Sequence, residues 1–318
     1  MLDLPLAPAQ ALVQRAVDKA EQLGLRGGIA VVGASGGLIT ASRLDQGGHG
    51  GMARAASKAW ISATQQIPST EHLHRMTTLP GPISSGFVAV SPQAVFPGAG
   101  GMPVRDDNGT VLAGIAASGA TVSPFLPQGV RPEVVSADGE PANPEDLLIA
   151  YALGLPYRGQ HGDDAARWRE RFGDLVVSAE AALGMKTAPT ASGQPELQWA
   201  KELCEQVRSL AAADGLRISV AVVDPGGDPI HQDRMDDAVT GGVEVARAGA
   251  ATAARYGRPS GEVPAEFAAL HPAPFLARPG GVPLFSRGVV IGALGVGGAD
   301  ERRCAELAER VAGPVARA

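Results

Sequence analysis

The stretch LRISVAVVDPGGDPIHQDRMDDAVTGGVEVARAGAATAARYGRPS, residues 216–260, decides the fold of this chain. It aligns without a gap on residues 25–69, and 16 of the 45 positions are identical, which favours a duplicated domain over low complexity. The order of motifs also repeats further along the chain. Gly-Gly-Met-Pro at 100–103 returns as Gly-Gly-Val-Pro at 280–283. The sequence therefore predicts two copies of one domain.

Both copies show the same pattern of predicted secondary structure. An amphipathic helix over 8–24 or 196–215 ends at a glycine. A short β-run, a Gly-rich turn and a return strand then predict a hairpin, and an Ala-rich helix follows at 50–65 or 241–257. A loop and a second hairpin come next, and the second copy has a closing helix. Paired strands between helices predict an α+β domain with a central antiparallel sheet.

The predicted domain boundaries follow the repeat. The first and more diverged copy spans 1–157, because Asn143 and Pro144 are typical of the start of a helix that completes it. Residues 158–195 resemble neither copy and are predicted as a helical insert and linker. The second copy spans 196–318.

Composition and charge exclude several classes of partner. The net charge is −6 and no cluster of Lys and Arg is present, so nucleic-acid binding has no electrostatic basis. No apolar run reaches the roughly 18 residues of a membrane helix, and the N-terminal stretch lacks the apolar region of a signal peptide. We therefore expect a cytoplasmic protein without a membrane partner. Cys204 and Cys304 have no metal-ligand spacing; they are either one disulfide or, as is more usual in the cytoplasm, two buried thiols.

The stretch VAVVDPGGDPIHQDRMDDAVTGGVEVARAGAATAARYGRPS (220–260), followed by RPGGVPLFSRGVVIGALGVGG (278–298), resembles the GlcG/HbpS family, which also occurs as the C-terminal domain of PduO-type proteins. The resemblance implies a profilin-like α/β/α sandwich that forms homo-oligomers through the repeated domains. Two copies in one chain would then form an internal pseudo-dimer. Some members of the family bind or degrade haem, so the resemblance implies a small-molecule ligand, with haem as the candidate cofactor.

Four Gly-Gly pairs recur at matching places in the two copies. Gly50-Gly51 and Gly241-Gly242 precede the Ala-rich helices, while Gly100-Gly101 and Gly280-Gly281 precede the last hairpins. A helix N-terminus can bind an anion, and glycine lets the backbone approach a ligand closely. These glycines are therefore candidate cofactor-binding residues. The alternative is that they serve only tight turns and close packing of helix on sheet.

The ionisable residues of the Ala-rich helix differ between the copies. Lys58 of the first copy aligns with Gly249, and Glu244 of the second copy aligns with Ala53. Members of the family commonly have both the acid and the lysine in one helix. We therefore expect a composite site, in which Lys58 binds a carboxylate or carbonyl group and Glu244 acts as a general acid or base. A solvated salt bridge is the alternative.

Histidines supply the other candidate ligands. His49 directly precedes a Gly-Gly pair, so it is a candidate haem ligand or proton-transfer group, with an ordinary surface histidine as the alternative. His72 and His74 would share a face on a strand but not on a helix, and no metal site is predicted there.

Arg43-x-Asp45 repeats as Arg234-x-Asp236. Strand alternation places each Arg and Asp on one face, which predicts an ion pair that holds the hairpin against the helix. Asp224 is expected to be a turn residue.

Two main functions remain open from the sequence, besides the weaker alternative of a scaffold that only forms oligomers. The first is small-molecule binding with haem as the candidate ligand, although the aromatic residues that often enclose a porphyrin are few. The second is a cofactor-independent lyase, isomerase or hydrolase that uses Lys58, Glu244 and His49 on a small carboxylate or carbonyl compound between the two copies.

Overall fold

The computed structural model describes residues 3–96, 98–119, 131–135, 141–155, 196–270 and 274–315. The chain divides into two compact units. Unit 1 comprises residues 1–3, 12–36 and 46–194, and unit 2 comprises residues 4–11, 37–45 and 195–318. The units differ from the two sequence copies, because two segments of the first copy belong to unit 2. The predicted helical insert, 158–195, lies outside the described residues, and the predicted domain boundaries stay predictions.

Unit 1 has a three-stranded antiparallel sheet formed by β3 (Gly101–Arg105), β4 (Val111–Ser118) and β1 (Gly28–Gly33), in that order. Val31 of β1 lies opposite Ile115 of β4. One helix, α2, packs on all three strands, and another, α5, packs on β3 and β4. The elements of unit 1 are β1 (Gly28–Gly33), α2 (Gly51–Thr64), α3 (Ser69–Thr78), α4 (Gly81–Val90), β3 (Gly101–Arg105), β4 (Val111–Ser118), β5 (Arg131–Val135), β6 (Pro141–Ala142) and α5 (Pro144–Leu153), together with most of α1 (Leu6–Gln22).

The Ala-rich composition of α2 has a direct packing reason. A Cβ atom on Gly114 of β4 would lie only 2.1 Å from the carbonyl oxygen of Ala59. The backbone of the helix therefore rests on the backbone of the strand, with no room for a side chain between them. A core built in this way needs small residues, which agrees with the low aromatic content of the chain.

The segment after α2 departs from its prediction. The sequence pattern predicted a loop there, but in unit 1 the segment forms α3 and α4. Both helices have local start signals: Glu71 lies in the first turn of α3, where an acid stabilises the helix dipole. Pro82 lies in the first turn of α4, where its missing N–H costs nothing. The corresponding segment of unit 2 forms two 3-10 turns, Ser260–Glu262 and Ala265–Leu270.

Unit 2 is a helix–sheet–helix sandwich around an antiparallel sheet in the order β2–β8–β7–β10–β9. One face of this sheet packs against α6 (Glu196–Ala213) and α8 (Glu301–Val315) in a core that includes Val222. The other face packs against α7 (Gly242–Tyr256) in a core that includes Val223. The side chains of these two adjacent residues of β7 therefore point into different cores. The α+β sandwich fold predicted from the sequence is confirmed. The elements of unit 2 are β2 (Leu38–Arg43), α6 (Glu196–Ala213), β7 (Ser219–Val223), β8 (Pro229–Arg234), α7 (Gly242–Tyr256), β9 (Gly281–Ser286), β10 (Val289–Gly297) and α8 (Glu301–Val315).

The pairing of β2 with β8 joins matching strands of the two sequence copies inside unit 2. Ala41 lies opposite Gln232, and these two residues are also equivalent positions in the repeat. The two strands are therefore related by a local two-fold axis. This is the strand pairing that the predicted pseudo-dimer requires.

The ion pairs predicted for Arg43 with Asp45 and for Arg234 with Asp236 are replaced by other contacts in the structure, in which Arg234 donates to the carbonyl oxygens of Leu38 and Ala238. β2 and β8 end at the arginines, so strand alternation no longer applies at the aspartates. Asp45 instead accepts a hydrogen bond from the backbone N–H of Leu197 at the start of α6, at 2.9 Å. Asp236 does the same for the first residue of α1, at 2.8 Å. Each aspartate thus satisfies a free N–H at a helix start.

Arg43 has its partners in the turn between β7 and β8. Its Nη1 atom donates to Asp224 at 2.9 Å and to Asp228 at 2.8 Å. Asp224 also accepts from the backbone N–H groups of Gly226 and Asp228, so the predicted turn role of Asp224 is confirmed.

No helix in the part of the chain that the structure describes is long and apolar enough to cross a membrane.

Candidate functional site

A buried cluster of charges lies between α2 and α5 of unit 1. Lys58 is only 1% exposed, and its Nζ atom donates to Glu145 Oε2 at 2.6 Å and to the carbonyl oxygen of Ala99 at 2.7 Å. The side chain of Asn143 caps α5 by accepting from the backbone N–H groups of Glu145 and Asp146. The cap therefore determines where two carboxylates enter the core beside the lysine.

Backbone N–H groups complete the cluster. Glu145 Oε1 accepts from Gly119 at 2.7 Å, and Asp146 Oδ1 accepts from Gly100 at 2.7 Å. Burial raises the pKa of Asp146 to about 6, although the hydrogen bond from Gly100 and the charge of Lys58 oppose the rise. The cluster can therefore take up a proton just below neutral pH.

The second copy lacks the residues of this cluster. Gly249 takes the position of Lys58 in the repeat. A Cβ atom on Gly281 of β9 would lie 2.2 Å from the carbonyl oxygen of Gly249, so β9 occupies the space that a side chain at position 249 would need. Counted from its first residue, α8 carries Arg302 and Arg303 where α5 carries the two acids. Lysine and acids are thus replaced together, which makes the cluster a property of unit 1.

The predicted glycine sites prove to be tightly packed or conformationally restricted, with Gly241 as the exception. A Cβ on Gly100 would lie 2.5 Å from Glu145 Cβ, and one on Gly101 would lie 2.7 Å from Ser69 Oγ. Close contacts of 3.2 Å or less also confine Gly50, Gly51, Gly242, Gly280 and Gly281. This packing accounts for these glycines without a ligand, as the alternative interpretation from the sequence held. Their binding of a cofactor stays a prediction.

The three predicted catalytic residues lie in different environments. His49 is exposed and directly precedes Gly50, which adopts a left-handed conformation with φ 75° at the start of α2. Glu244 is exposed in the first turn of α7. Lys58 is buried, and its carboxylate partner is Glu145, which the sequence interpretation treated only as a helix-start residue. The composite site of Lys58 and Glu244 stays a prediction.

The helix α3 separates the two histidines that the sequence placed two residues apart. His72 is buried and His74 is exposed, as a spacing of two on a helix requires. His72 Nε2 has no hydrogen-bond partner among the described residues, and the ring of Phe87 lies 5.1 Å from the His72 ring. The sequence carried no signal for this burial, because it depends on the unexpected helix α4.

A second buried polar group lies in unit 2, where β2 meets β8. Ser42 Oγ is 2.9 Å from His231 Nδ1, and Asp233 Oδ2 is 3.3 Å from His231 Nε2. These are the residue types of a hydrolytic triad, but Ser42 is fully buried, so its hydroxyl is closed to a substrate. Burial opposes ionisation of Asp233, but the charges of His231 and Arg208 and the hydrogen bond from Thr40 lower its pKa to about 2. The group therefore holds two strands together.

The comparisons with known proteins agree with the repeat. The family model described as "Haem degrading protein HbpS-like" matches residues 4–123 and 196–312, which is more than half of the chain. The fold thus defines a duplicated α/β/α protein, and the chain belongs to the HbpS-like family. This confirms the family resemblance seen in the sequence.

Solved structures similar to this chain each correspond to about one copy. The Klebsiella pneumoniae protein ORFY is 22% identical, with 41% of this chain and 96% of that chain covered and a TM-score of 0.36. A double mutant of Streptomyces reticuli HbpS is 26% identical, with 41% and 93% covered and a TM-score of 0.37. A PduOC:heme complex is 22% identical, with 36% and 88% covered and a TM-score of 0.34. Among curated proteins, none matches this chain.

Proposed function

We propose that this protein binds a haem-type tetrapyrrole and that unit 1 provides the site. The observation that carries the proposal is the match of both copies to a family whose description names haem. Bound haem would supply an iron centre, which requires an axial donor atom and apolar surroundings from the protein.

Unit 1 offers donors of the required kind. His49 presents an exposed imidazole directly before α2, and His72 presents a buried ring nitrogen without a hydrogen-bond partner in the described ranges. Cys204 and Cys304 of unit 2 fit less well, because both are buried free thiols and burial raises the pKa of each. A thiol held protonated is a poor iron ligand. Histidine is therefore the ligand type that these residues favour.

The burial of Lys58 disfavours the alternative function, a cofactor-independent enzyme that acts on a small carboxylate or carbonyl compound. It requires Lys58 to reach a substrate, and this side chain is buried between Glu145 and the carbonyl of Ala99. Homo-oligomerisation and a cytoplasmic location, which the sequence led us to expect, stay predictions.

A titration of the purified full-length protein with hemin tests the proposal. We expect a shifted Soret band that saturates at a fixed stoichiometry. His49→Thr introduces the residue of the second copy, and loss of the band in this variant would identify His49 as one of the iron ligands. Absorbance that rises without saturation in the parent protein would contradict haem binding.

A further inference from the structure

His72 is an unusual buried histidine. Its side chain is on α3, the residue is 4% exposed, and Nε2 finds no hydrogen-bond partner in the described part of the chain. An unpaired buried polar atom of this kind costs about 1–3 kcal/mol, so a structure keeps few of them. Burial, together with the charge of Arg75, lowers the pKa of His72, so the ring is uncharged at neutral pH. An uncharged imidazole is the form that binds iron.

The layer over His72 is held to α2 at one end, where Ser57 donates to the carbonyl oxygen of Ala94 at 2.9 Å and accepts from the N–H of Phe96 at 2.6 Å, but it has few buried contacts along α4. Residues 79–96, here called the apolar cover, include α4, and none of the residues of α4 is buried. Phe87 of α4 lies against the His72 ring at an interplanar angle of 50°. Large apolar side chains elsewhere on the cover face solvent: Leu79, Ile83, Val88, Val90 and Phe96, of which Val90 is 81% exposed. Exposed apolar surface with few buried contacts is typical of a binding element that moves.

Unit 2 shows what a firmly anchored segment at this place looks like. Tyr256 stacks on Phe267 with ring centroids 5.7 Å apart, and Phe275 meets the Tyr256 ring edge-on at 6.1 Å. In the repeat, Gln65 of the first copy takes the position of Tyr256. The equivalent position of unit 1 therefore carries no aromatic side chain, and the aromatic contact described near this segment of unit 1 is that of Phe87 with His72.

We propose that His72 would hold the iron of the haem that unit 1 binds, and that α4 would move aside to admit the porphyrin. This inference rests on the proposed function and names the residue that serves it. The porphyrin would replace Phe87 beside the imidazole and shield the apolar side chains of the cover from water. It would also give the unpaired Nε2 atom a partner.

The charges near His72 suit the same ligand. Arg75 follows one helical turn later on α3, and its side chain is 61% exposed and paired with Glu71 on the surface. Haem carries two carboxylates, and a guanidinium binds a carboxylate with two parallel hydrogen bonds. The helix α3 thus supplies a nitrogen donor and a positive edge, and the cover supplies an apolar surface.

Hemin titrations of the parent protein, His72→Phe and His74→Ala test this assignment. His72→Phe keeps an aromatic ring against Phe87 but removes the nitrogen, while His74→Ala removes an exposed histidine of the same helix and serves as the matched control. We expect His72→Phe to weaken hemin binding at least about tenfold and to change the Soret band, because the axial ligand is lost. His74→Ala should match the parent.

Iron-free protoporphyrin IX separates ligation from folding. It should bind the parent and His72→Phe with equal affinity, because apolar contacts do not depend on the nitrogen. Equal hemin affinity and an unchanged Soret band in His72→Phe would overturn the role of His72 while the proposed function stands. A parent protein without a saturating band would overturn the proposed function itself. Self-association through the cover that hemin does not reverse would assign this surface to a second copy of the chain instead.

Discussion

Replacement of Lys58 by Met should destabilise unit 1 strongly. Met fills most of the same volume but removes the charge that faces Glu145 and the hydrogen bond to the Ala99 carbonyl. Glu145 would keep the hydrogen bond from the backbone N–H of Gly119 but would lose the cation that it faces. Breaking one side of a buried ion pair costs about 3–5 kcal/mol, and we expect a loss in this range.

A double-mutant cycle with Glu145→Gln separates the ion pair from general packing. Gln can still accept from Gly119, so the double variant removes both charges of the Lys58–Glu145 pair. Because replacing both partners of a buried pair is often nearly neutral, we expect the double variant to regain about 2 kcal/mol relative to the sum of the single losses.

Urea denaturation followed by tryptophan fluorescence provides the measurement. Trp60 reports unit 1, because it lies on α2 two residues after Lys58, and Trp199 on α6 reports unit 2. Variants that keep one of these tryptophans, with Trp168 and the other replaced by Phe, give a separate signal for each unit. A loss below about 1 kcal/mol at Trp60, or strictly additive single variants, would refute the buried-pair reasoning.

Two further predictions concern pH. Asp146→Asn keeps the acceptor for Gly100 and should stabilise the protein at pH 8 by up to about 3 kcal/mol. The reason is that the folded-state pKa of Asp146 is raised to about 6, which makes its ionised carboxylate costly above that pH. The gain should vanish near pH 4, and a gain that does not change with pH would contradict this reasoning. Asp233 has a folded-state pKa lowered to about 2, so its contribution of about 2 kcal/mol is present above pH 4 and is lost as the pH falls towards 2. Urea denaturation at stepped pH should therefore show the deficit of Asp233→Asn shrinking over this range, and parallel curves for parent and variant would rule the reasoning out.

Much of the fold could be predicted from local patterns. The helical period, the glycines at helix ends and the repeat itself predicted the α+β fold, because each depends on residues close together in the chain. The main difference between the predicted and the observed secondary structure is the segment after α2. Its prolines and glycines are typical of a loop, yet Glu71 and Pro82 also satisfy the rules for helix starts. Two opposing local signals of similar strength cannot be ranked without the packing around them.

The candidate site was only partly predictable. Lys58 and His49 could be named from the repeat, because they break the similarity between the copies. Glu145 could not be paired with Lys58, since the two residues are 87 positions apart. A buried lysine requires a carboxylate partner, but the sequence does not show that the lysine is buried. The burial of His72 could not be predicted for the same reason.

The sequence by itself determined the duplication and the antiparallel α+β domains. These properties follow from short-range sterics and from the periodicity of helices and strands. Only the tertiary structure decided that β2 belongs to unit 2, that Asp45 caps a helix of the other copy, and that Lys58 and His72 are buried. The physical reason is that desolvation and long-range pairing depend on which surfaces meet, and this information is spread over the whole chain.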